Sequence, residues 1–401
     1  MSPLSPPQRI LVVTLDAYRF STRSRKAAQR YATIAPTVFL GLAAAGRTGR
    51  WDVPGEWRVD AIDVVQVRVK QPWVAPTRRN QLRNLFISYL PAFARLAKQV
   101  LTTPADVVHV TGAPLVILAL LHRARFRSIT VLDIQERPGA PASRGSVMNI
   151  FSRIELFVLR AARRWVDIAT VVTYGDVGIV SALGFPVVML VRNAPLLNWR
   201  ASFIPPPKVE GGLLRAVAIG SIFEGRGYEI LIRAIAKAQE SRRILVSIYG
   251  PGREDYLNTL RGLASALGVD GSIEWMGTID SSEVSAAYLR SHVGLVLYES
   301  ADAGNDGLSN KILECVSTGR PVIAGDLPEN RKFVAENHVG WLTDVAVEGL
   351  AETLTHAAQD VDLEELSCRC RGYGDTWLNW ESEFAKLLNA ITPGATRGAL
   401  N

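Results

Sequence analysis

The chain has 401 residues, 48% of them hydrophobic and 21% charged, an ordinary balance for a globular α/β protein and enough length for two or three domains, each with its own core. Three cysteines (Cys315, Cys368 and Cys370) and five scattered histidines exclude a disulfide framework and a structural zinc set, and fit a reducing cytosol. The net charge of +7 is unevenly placed: residues 1–200 hold 27 Lys and Arg against 11 Asp and Glu, a net +16, and the remainder carries −9.

Arg9 runs straight into an apolar strand over 10–15, so no secretory leader is expected. A polar loop over 16–22 leads to a helix over 23–33. Residues 37–42 and 64–69 read as the next two strands, and 73–79 as a Pro- and Arg-containing loop. Arg78, Arg79, Arg83, Arg95 and Lys98 surround an apolar helix over 82–101. Residues 105–112 form a strand that carries His109 and ends at Gly112. The longest apolar run, 113–121, contains Pro114 and is too short to span a bilayer. Arg123, Arg125 and Arg127 follow it. After a strand over 128–134, the long helix over 149–165 sets Arg153, Arg160, Arg163 and Arg164 among Phe, Leu and Trp. Nucleic acid and anionic lipid both suit such a surface, and a merely solvated basic face is the third reading. No DNA- or RNA-binding motif is visible, so the membrane is favoured and nucleic acid is not expected as a partner. The expected location is the cytoplasm, peripheral on the inner face of the membrane.

Strands over 168–173 and 187–191 close the first domain, 1–197. Pro205-Pro206-Pro207 and Gly211-Gly212 mark 198–212 as a linker. The second domain, 213–376, opens with a strand over 214–219, a Gly-rich loop from Gly220 to Gly227 and a helix over 228–239. A strand over 244–249 ends at Gly250-Pro251-Gly252-Arg253, and one over 272–276 ends at Gly277-Thr278. A last amphipathic helix, 377–391, carries Trp377 and Trp380, and 392–401 reads as a loose tail.

The most informative stretch is 293–330. The apolar run 293–297 reads as a buried parallel strand. Gly304 and Gly307 follow in a polar loop, and Ser309 or Asn310 caps a helix whose apolar face is Ile312, Leu313 and Val316. Gly319 stops that helix, Pro321 prevents its continuation, and 321–324 is a second buried strand. The helix start therefore lies at the carboxyl end of a strand, where open α/β sheets bind phosphates. Asp306 precedes the helix start and Glu314 lies one turn inside it. The unit offers amide N–H groups and Lys311 to a diphosphate, and carboxylates to sugar hydroxyls. A surface αβ unit with solvated acids carries the same local pattern.

This stretch resembles the donor-site segment of family 4 retaining glycosyltransferases of the GT-B fold, whose pattern is glutamate, seven residues, glutamate, then Gly-x-Pro-Val. Here it reads Asp306-x7-Glu314 with Gly319-Arg320-Pro321-Val322, and Asp306 departs from the family's glutamate. Ser309-Asn310-Lys311 is similar to the Pro-Ser-Lys variant of members that build surface polysaccharides. Arg23-Ser24-Arg25-Lys26 resembles the family's Arg-x-x-Lys/Arg opening loop. Residues 105–112 are similar to Asp-Val-Val-His-x-His, with His109 at the first histidine and Thr111 at the second, which leaves open which of the two touches the sugar. Asp133 and Glu136 resemble the Tyr-Asp-x-x-Glu segment at the cleft. The 220–227 loop is similar to the Gly-Arg-…-Lys-Gly loop that clamps the donor diphosphate. Arg226 matches its second cation and Ser221 replaces its first, a loss that either weakens the clamp or shifts it to Arg253. In the family, the Gly250 and Gly277-Thr278 strand ends present backbone to the nucleotide base, and the final helix crosses back to the first domain.

The resemblance implies two Rossmann-like domains facing a cleft, with a nucleotide-sugar donor, UDP-linked by preference, on the second and a glycan or lipid-linked glycan acceptor on the first. It implies transfer with retention and no metal or other cofactor. Expected catalytic residues are His109, Asp306 and Glu314. Donor contacts are Gly220, Ser221, Arg226, Gly250, Arg253, Gly277, Thr278, Ser309, Asn310 and Lys311; acceptor contacts are Arg23, Lys26, Thr111 and Glu136. A nucleotide-sugar 2-epimerase and a non-catalytic GT-B nucleotide-sugar-binding protein are the alternatives.

Overall fold

A computed structural model describes residues 7–18, 21–44, 54–69, 89–139, 146–299, 307–359 and 363–392. The chain divides into two compact units, residues 1–192 with 384–401, and residues 193–383.

The first unit is built on β1 (Ile10–Val13), β2 (Thr37–Ala44), β3 (Gly55–Val59), β4 (Ile62–Val69), β5 (Val107–Thr111), β6 (Ile129–Ile134), β7 (Ile168–Val171) and β8 (Val188–Leu190). Their spatial order is β3-β4-β2-β1-β5-β6-β7-β8. All neighbours are parallel except β3 and β4, an antiparallel pair. Its helices are α1 (Thr22–Tyr31), α2 (Leu90–Thr102), α3 (Val116–Phe126), α4 (Ser146–Ala162) and α5 (Tyr174–Ala182). From β4 to β8 the crossovers advance along the sheet without reversing, the first of them passing over β2 and β1. Right-handed crossovers therefore place α2, α3, α4 and α5 on one face. The core there joins Leu96, Leu118, Leu159 and Val180 to Leu11, Val108, Val110 and Leu132. Side chains alternate along a strand, so His109 points to the opposite face, where Tyr31 of α1 meets it.

The second unit contains β9 (Leu213–Ile219), β10 (Arg243–Tyr249), β11 (Ile273–Gly277), β12 (Val293–Val296), β13 (Val322–Gly325) and β14 (Gly340–Thr343). All are parallel, in the order β11-β10-β9-β12-β13-β14. This is the doubly wound order, and its direction reverses between β9 and β12, so a crevice is expected beyond the carboxyl ends of those two strands. The helices are α6 (Tyr228–Ala238), α7 (Glu254–Ala266), α8 (Val284–Leu289), α9 (Asn310–Thr318), α10 (Pro328–Asn337), α11 (Val347–Ala357), α12 (Leu363–Thr376) and α13 (Trp380–Ile391), the last of which runs on into the first unit. Leu214, Ala216 and Ala218 face a core with α6, α7 and α11, while Val217 and Ile219 face one with α8, α9 and α10.

Both sheets are those of the expected GT-B type. Several elements differ in detail. β3, β14, α5, α7, α8 and α10 are not among the expected elements, and the 113–121 apolar run leads into helix α3. The last helix begins at Trp380 rather than 377: the Asn379 side chain accepts from Ser382 N at 2.7 Å and caps it there. Trp377 is left 65% exposed. Residues 198–212 lie inside the second unit, where Arg200 Nη1 donates to the Ser317 carbonyl at 3.0 Å. The 73–79 loop falls outside the described residues, as does the start of the 82–101 helix. Among the described residues no helix is long and apolar enough to cross a membrane.

Candidate active site

The crevice at the β9–β12 reversal is a pocket lined by Gly220, Ser221, Arg226, Leu297, Tyr298 and Lys311, among others. Two elements aim charge into it. One is the 220–227 loop. Gly220 N donates to the Tyr249 carbonyl at 2.9 Å, and Gly250 N donates to the Gly277 carbonyl at 2.7 Å, so the ends of β9, β10 and β11 are joined by backbone. Gly250 has φ +149°, and a Cβ there would stand 1.7 Å from the Gly220 carbonyl oxygen, so only glycine fits. Gly227 has φ +73°, and its Cβ would meet the Leu297 carbonyl oxygen at 2.3 Å. Glu299 fixes this turn: its Oε1 accepts from Gly227 N at 3.1 Å, and its own N donates to the Gly225 carbonyl at 3.2 Å.

Arg226 leaves that loop with its guanidinium between two aromatic rings, 4.4 Å from the Phe223 centroid and 4.2 Å from that of Tyr298. Cation–π contact of this kind holds an arginine without neutralising it. Its buried Nε has no hydrogen-bond partner among the described residues.

The second element is α9. Ser309 is its N-cap: Oγ accepts from Lys311 N at 3.3 Å and lies 3.1 Å from the Tyr298 hydroxyl. Of the two residues the sequence offers as cap, Ser309 is therefore the one used. The helix N-terminus carries partial positive charge toward the pocket. Lys311 Nζ donates to Glu314 Oε2 at 2.7 Å, which fixes the ammonium above the first turn. Gly319 ends the helix with φ +91°.

Thus Gly220, Ser221, Arg226 and Lys311 line one crevice, and Ser309 and Glu314 are joined to that lining through Tyr298 and Lys311. Gly277 and Thr278 are exposed at the end of β11, next to Gly250, and Asn310 is exposed on the first turn of α9. Arg253 does not join the pocket lining: it pairs with Asp255, and its side chain is 73% exposed. Asp306 lies outside the described residues. The sequence reading missed the aromatic pair Phe223 and Tyr298 and the turn-holding Glu299; Phe223 stands three residues before the loop's one cation and is a local signal, whereas Tyr298 and Glu299 come from beyond the end of β12 and have none.

The residues expected in the first unit form a buried network. Arg23 donates from Nε to Asp133 Oδ2 at 2.9 Å and from Nη2 to Oδ1 at 2.8 Å, and Thr170 Oγ1 donates to Oδ1 at 2.6 Å. Arg23 is 5% and Asp133 1% exposed. The guanidinium expected at an acceptor is thus bound to a core carboxylate. Although burial favours the neutral acid, the Arg23 charge and hydrogen bonds hold Asp133 well below the usual carboxylate range. Lys26 is also buried, Ser24 Oγ meets Thr111 Oγ1 at 2.9 Å, and Glu136 is exposed.

His109 is 2% exposed, and burial lowers its pKa to about 4 against the opposing pull of Asp133. It is neutral at pH 7, so its 4.0 Å approach to Asp133 is not an ion pair. The carboxylate favours the tautomer with hydrogen on Nε2, which makes the Tyr31 hydroxyl the donor to Nδ1 at 3.0 Å. A histidine with a lowered folded pKa contributes stability that is complete above about pH 6.5 and is lost as pH falls toward 4. Asp133, with its folded pKa depressed, loses its contribution only below the ordinary carboxylate range. Unfolding free energy is therefore expected to fall between about pH 6.5 and 4, by at most about 1.4 kcal/mol per pH unit for one proton. Burial lowers His122 as well, so His109→Gln should make this slope shallower without abolishing it. An unchanged slope in denaturation series across that range would show that His109 does not carry it.

Residues 214–360 match the family model described as Glycosyl transferases group 1. No curated protein matches the sequence. Among solved structures, sucrose-phosphate synthase from Thermosynechococcus elongatus is similar with a TM-score of 0.71 at 14% identity, over 96% of this chain and 98% of that one. HepE from Anabaena in complex with UDP gives 0.70 at 13% identity, over 96% and 100%. WaaG, a glycosyltransferase involved in lipopolysaccharide biosynthesis, gives 0.61 at 15% identity, over 96% and 100%. At these identities the likeness shows the fold, which is GT-B. Together the group 1 match and this fold support a glycosyltransferase, and neither the epimerase nor the non-catalytic reading is favoured.

Proposed function

We propose that the second unit binds a UDP-sugar at the β9–β12 crevice and that the chain transfers the sugar, with retention of anomeric configuration, to a glycan acceptor. The acceptor class we favour is a polyprenyl-diphosphate-linked glycan, chosen because the first unit is basic. The observation that carries the reading is the convergence of Arg226, Lys311 and the Ser309-capped helix on one pocket. A leaving diphosphate gathers negative charge as the bond to the sugar breaks. Preorganised cations and helix amides placed there stabilise that charge without reorganising, and they need no metal ion to do so. Solved structures of the same fold include HepE with UDP-glucose and a trehalose-6-phosphate protein from E. coli with UDP-2-fluoro glucose, which supports uridine as the nucleoside. In this reading Glu314 accepts from the ribose and Asp306 from the donor sugar. Of His109 and Thr111, the two residues expected at a sugar from the resemblance, Thr111 is the more accessible.

The test is a thermal-shift panel of nucleotide-sugars, followed by transfer assays with the best ligand. Specific binding raises the midpoint by mass action. A UDP-sugar is expected to shift it most, and NMR of the product should show the donor's anomeric configuration kept. An inverted product would overturn retention. An epimer formed from donor alone would replace the transferase reading.

A further inference from the structure

The layer of helices on the first unit has an outer surface that the proposed transfer reaction does not use. On α3, Ile117 and Leu121 are one turn apart and 53% and 49% exposed. On α4, Ile154 is 51% and Phe157 73% exposed, and Trp165 just beyond the helix is 56% exposed. Single exposed apolar side chains are unremarkable, but these lie on the outward faces of two helices that pack side by side. Charge follows the same stripe. Arg153, Arg160 and Arg164 are exposed at helical spacing around Ile154 and Phe157, and Arg125 continues the outer face of α3. Arg95 and Lys98 are exposed on α2, the next helix of the layer. In all of α2, α3 and α4 there is one acid, Glu155, and it accepts from Gly139 N.

We propose that the outer face of α3 and α4 docks on an anionic lipid bilayer, with Ile117, Leu121, Ile154 and Phe157 entering the headgroup boundary and the arginines around them meeting lipid phosphates. Charge complementarity selects this occupant. An apolar protein partner explains the isoleucines and Phe157 but gains nothing from cations unopposed by acids. A nucleic acid explains the arginines but not the aliphatic stripes. Interleaved cations and apolar side chains are the composition of surfaces that lie in the membrane interface. The surface stands on the first unit alone, so the inference does not depend on the transfer reaction.

The experiment is vesicle co-sedimentation of the full chain. Vesicles of phosphatidylcholine alone are compared with vesicles containing phosphatidylglycerol, at low and at molar salt. Binding is expected only with phosphatidylglycerol and is expected to fall as salt shortens the range of the charges. Replacing Arg153, Arg160 and Arg164 together by glutamine should weaken partitioning roughly 100-fold, at about fivefold per arginine. Ile154→Glu with Phe157→Glu should also abolish binding. All five positions are exposed, so thermal midpoints should stay at the wild-type value and separate lost docking from lost folding. Wild-type binding by both variants, or no binding to phosphatidylglycerol vesicles at low salt, would overturn the proposal. If wild-type chain instead self-associates and the glutamate variant becomes monomeric in sedimentation velocity, the face is a contact between copies and the lipid assignment is wrong.

Discussion

Replacing Arg320 by methionine is expected to cost the second unit about 3 kcal/mol of stability. Arg320 is 0% exposed, yet no carboxylate among the described residues pairs with it. Its guanidinium is satisfied by backbone instead. Nε donates to the Ser291 carbonyl at 2.7 Å, Nη1 to that of Gly319 at 3.0 Å, and Nη2 to those of Leu289 at 2.7 Å and Ile204 at 2.8 Å. One side chain thus ties the end of α8, the end of α9 and the 204–205 segment together. Burial lowers its pKa to about 10, which still leaves it charged at neutral pH. Methionine keeps most of the volume but leaves four acceptors without donors, each worth about 1–3 kcal/mol when buried and unpaired. The recovered hydration of the cation offsets part of that loss. Lysine should not rescue the variant, because an ammonium cannot reproduce the planar fork that spans these carbonyls. Native-state hydrogen exchange reads the effect: the amides of α8 and α9 should open more easily. Protection unchanged to within about 0.5 kcal/mol would mean that the carbonyls find other donors.

The second large effect is on turnover. Glu314→Gln and Asp306→Asn are each expected to lower kcat by roughly 10²-fold, the scale for losing one preorganised polar contact at a reacting centre. Glu314 holds Lys311 Nζ at 2.7 Å, and in the proposed reading it also accepts from the ribose hydroxyls. Glutamine keeps the shape and loses both the charge and the ion pair. For Asp306 the prediction rests on its eight-residue spacing from Glu314. Wild-type kcat from Glu314→Gln would remove this carboxylate from the reaction.

The helix α9 shows why its sequence could be read. Ser309, Gly319 and Pro321 act through local chemistry, so the cap, the stop and the following strand are visible without tertiary information. The same holds for the 220–227 loop, where positive φ at Gly227 requires glycine. What escaped depends on distant partners. Arg320 lies inside an expected sugar-transfer motif, and nothing local shows that its donors will meet carbonyls of residues 204, 289 and 291. Arg23 is expected from the resemblance to contact the acceptor, but β6 brings Asp133, 110 positions away in sequence, under its guanidinium. Arg253 shows the reverse case: its expected place in the pocket yields to Asp255, two residues on, which pairs with it at the start of α7. α3 is not legible locally because an apolar run containing proline has no clear period, although Pro114 in fact precedes the helix, where its fixed φ does no harm.

The central claim is that the crevice at the β9–β12 reversal holds a nucleoside diphosphate, with Arg226 as a principal cation. Calorimetry of UDP and uridine on the wild-type chain and on Arg226→Ala tests it most directly. The substitution should weaken UDP by about 1.5–3 kcal/mol, the range for a hydrogen bond to a charged group, and leave uridine almost unchanged. Equal losses for UDP and uridine would contradict the account, because Arg226 would then support the loop through Phe223 and Tyr298 without touching the phosphates.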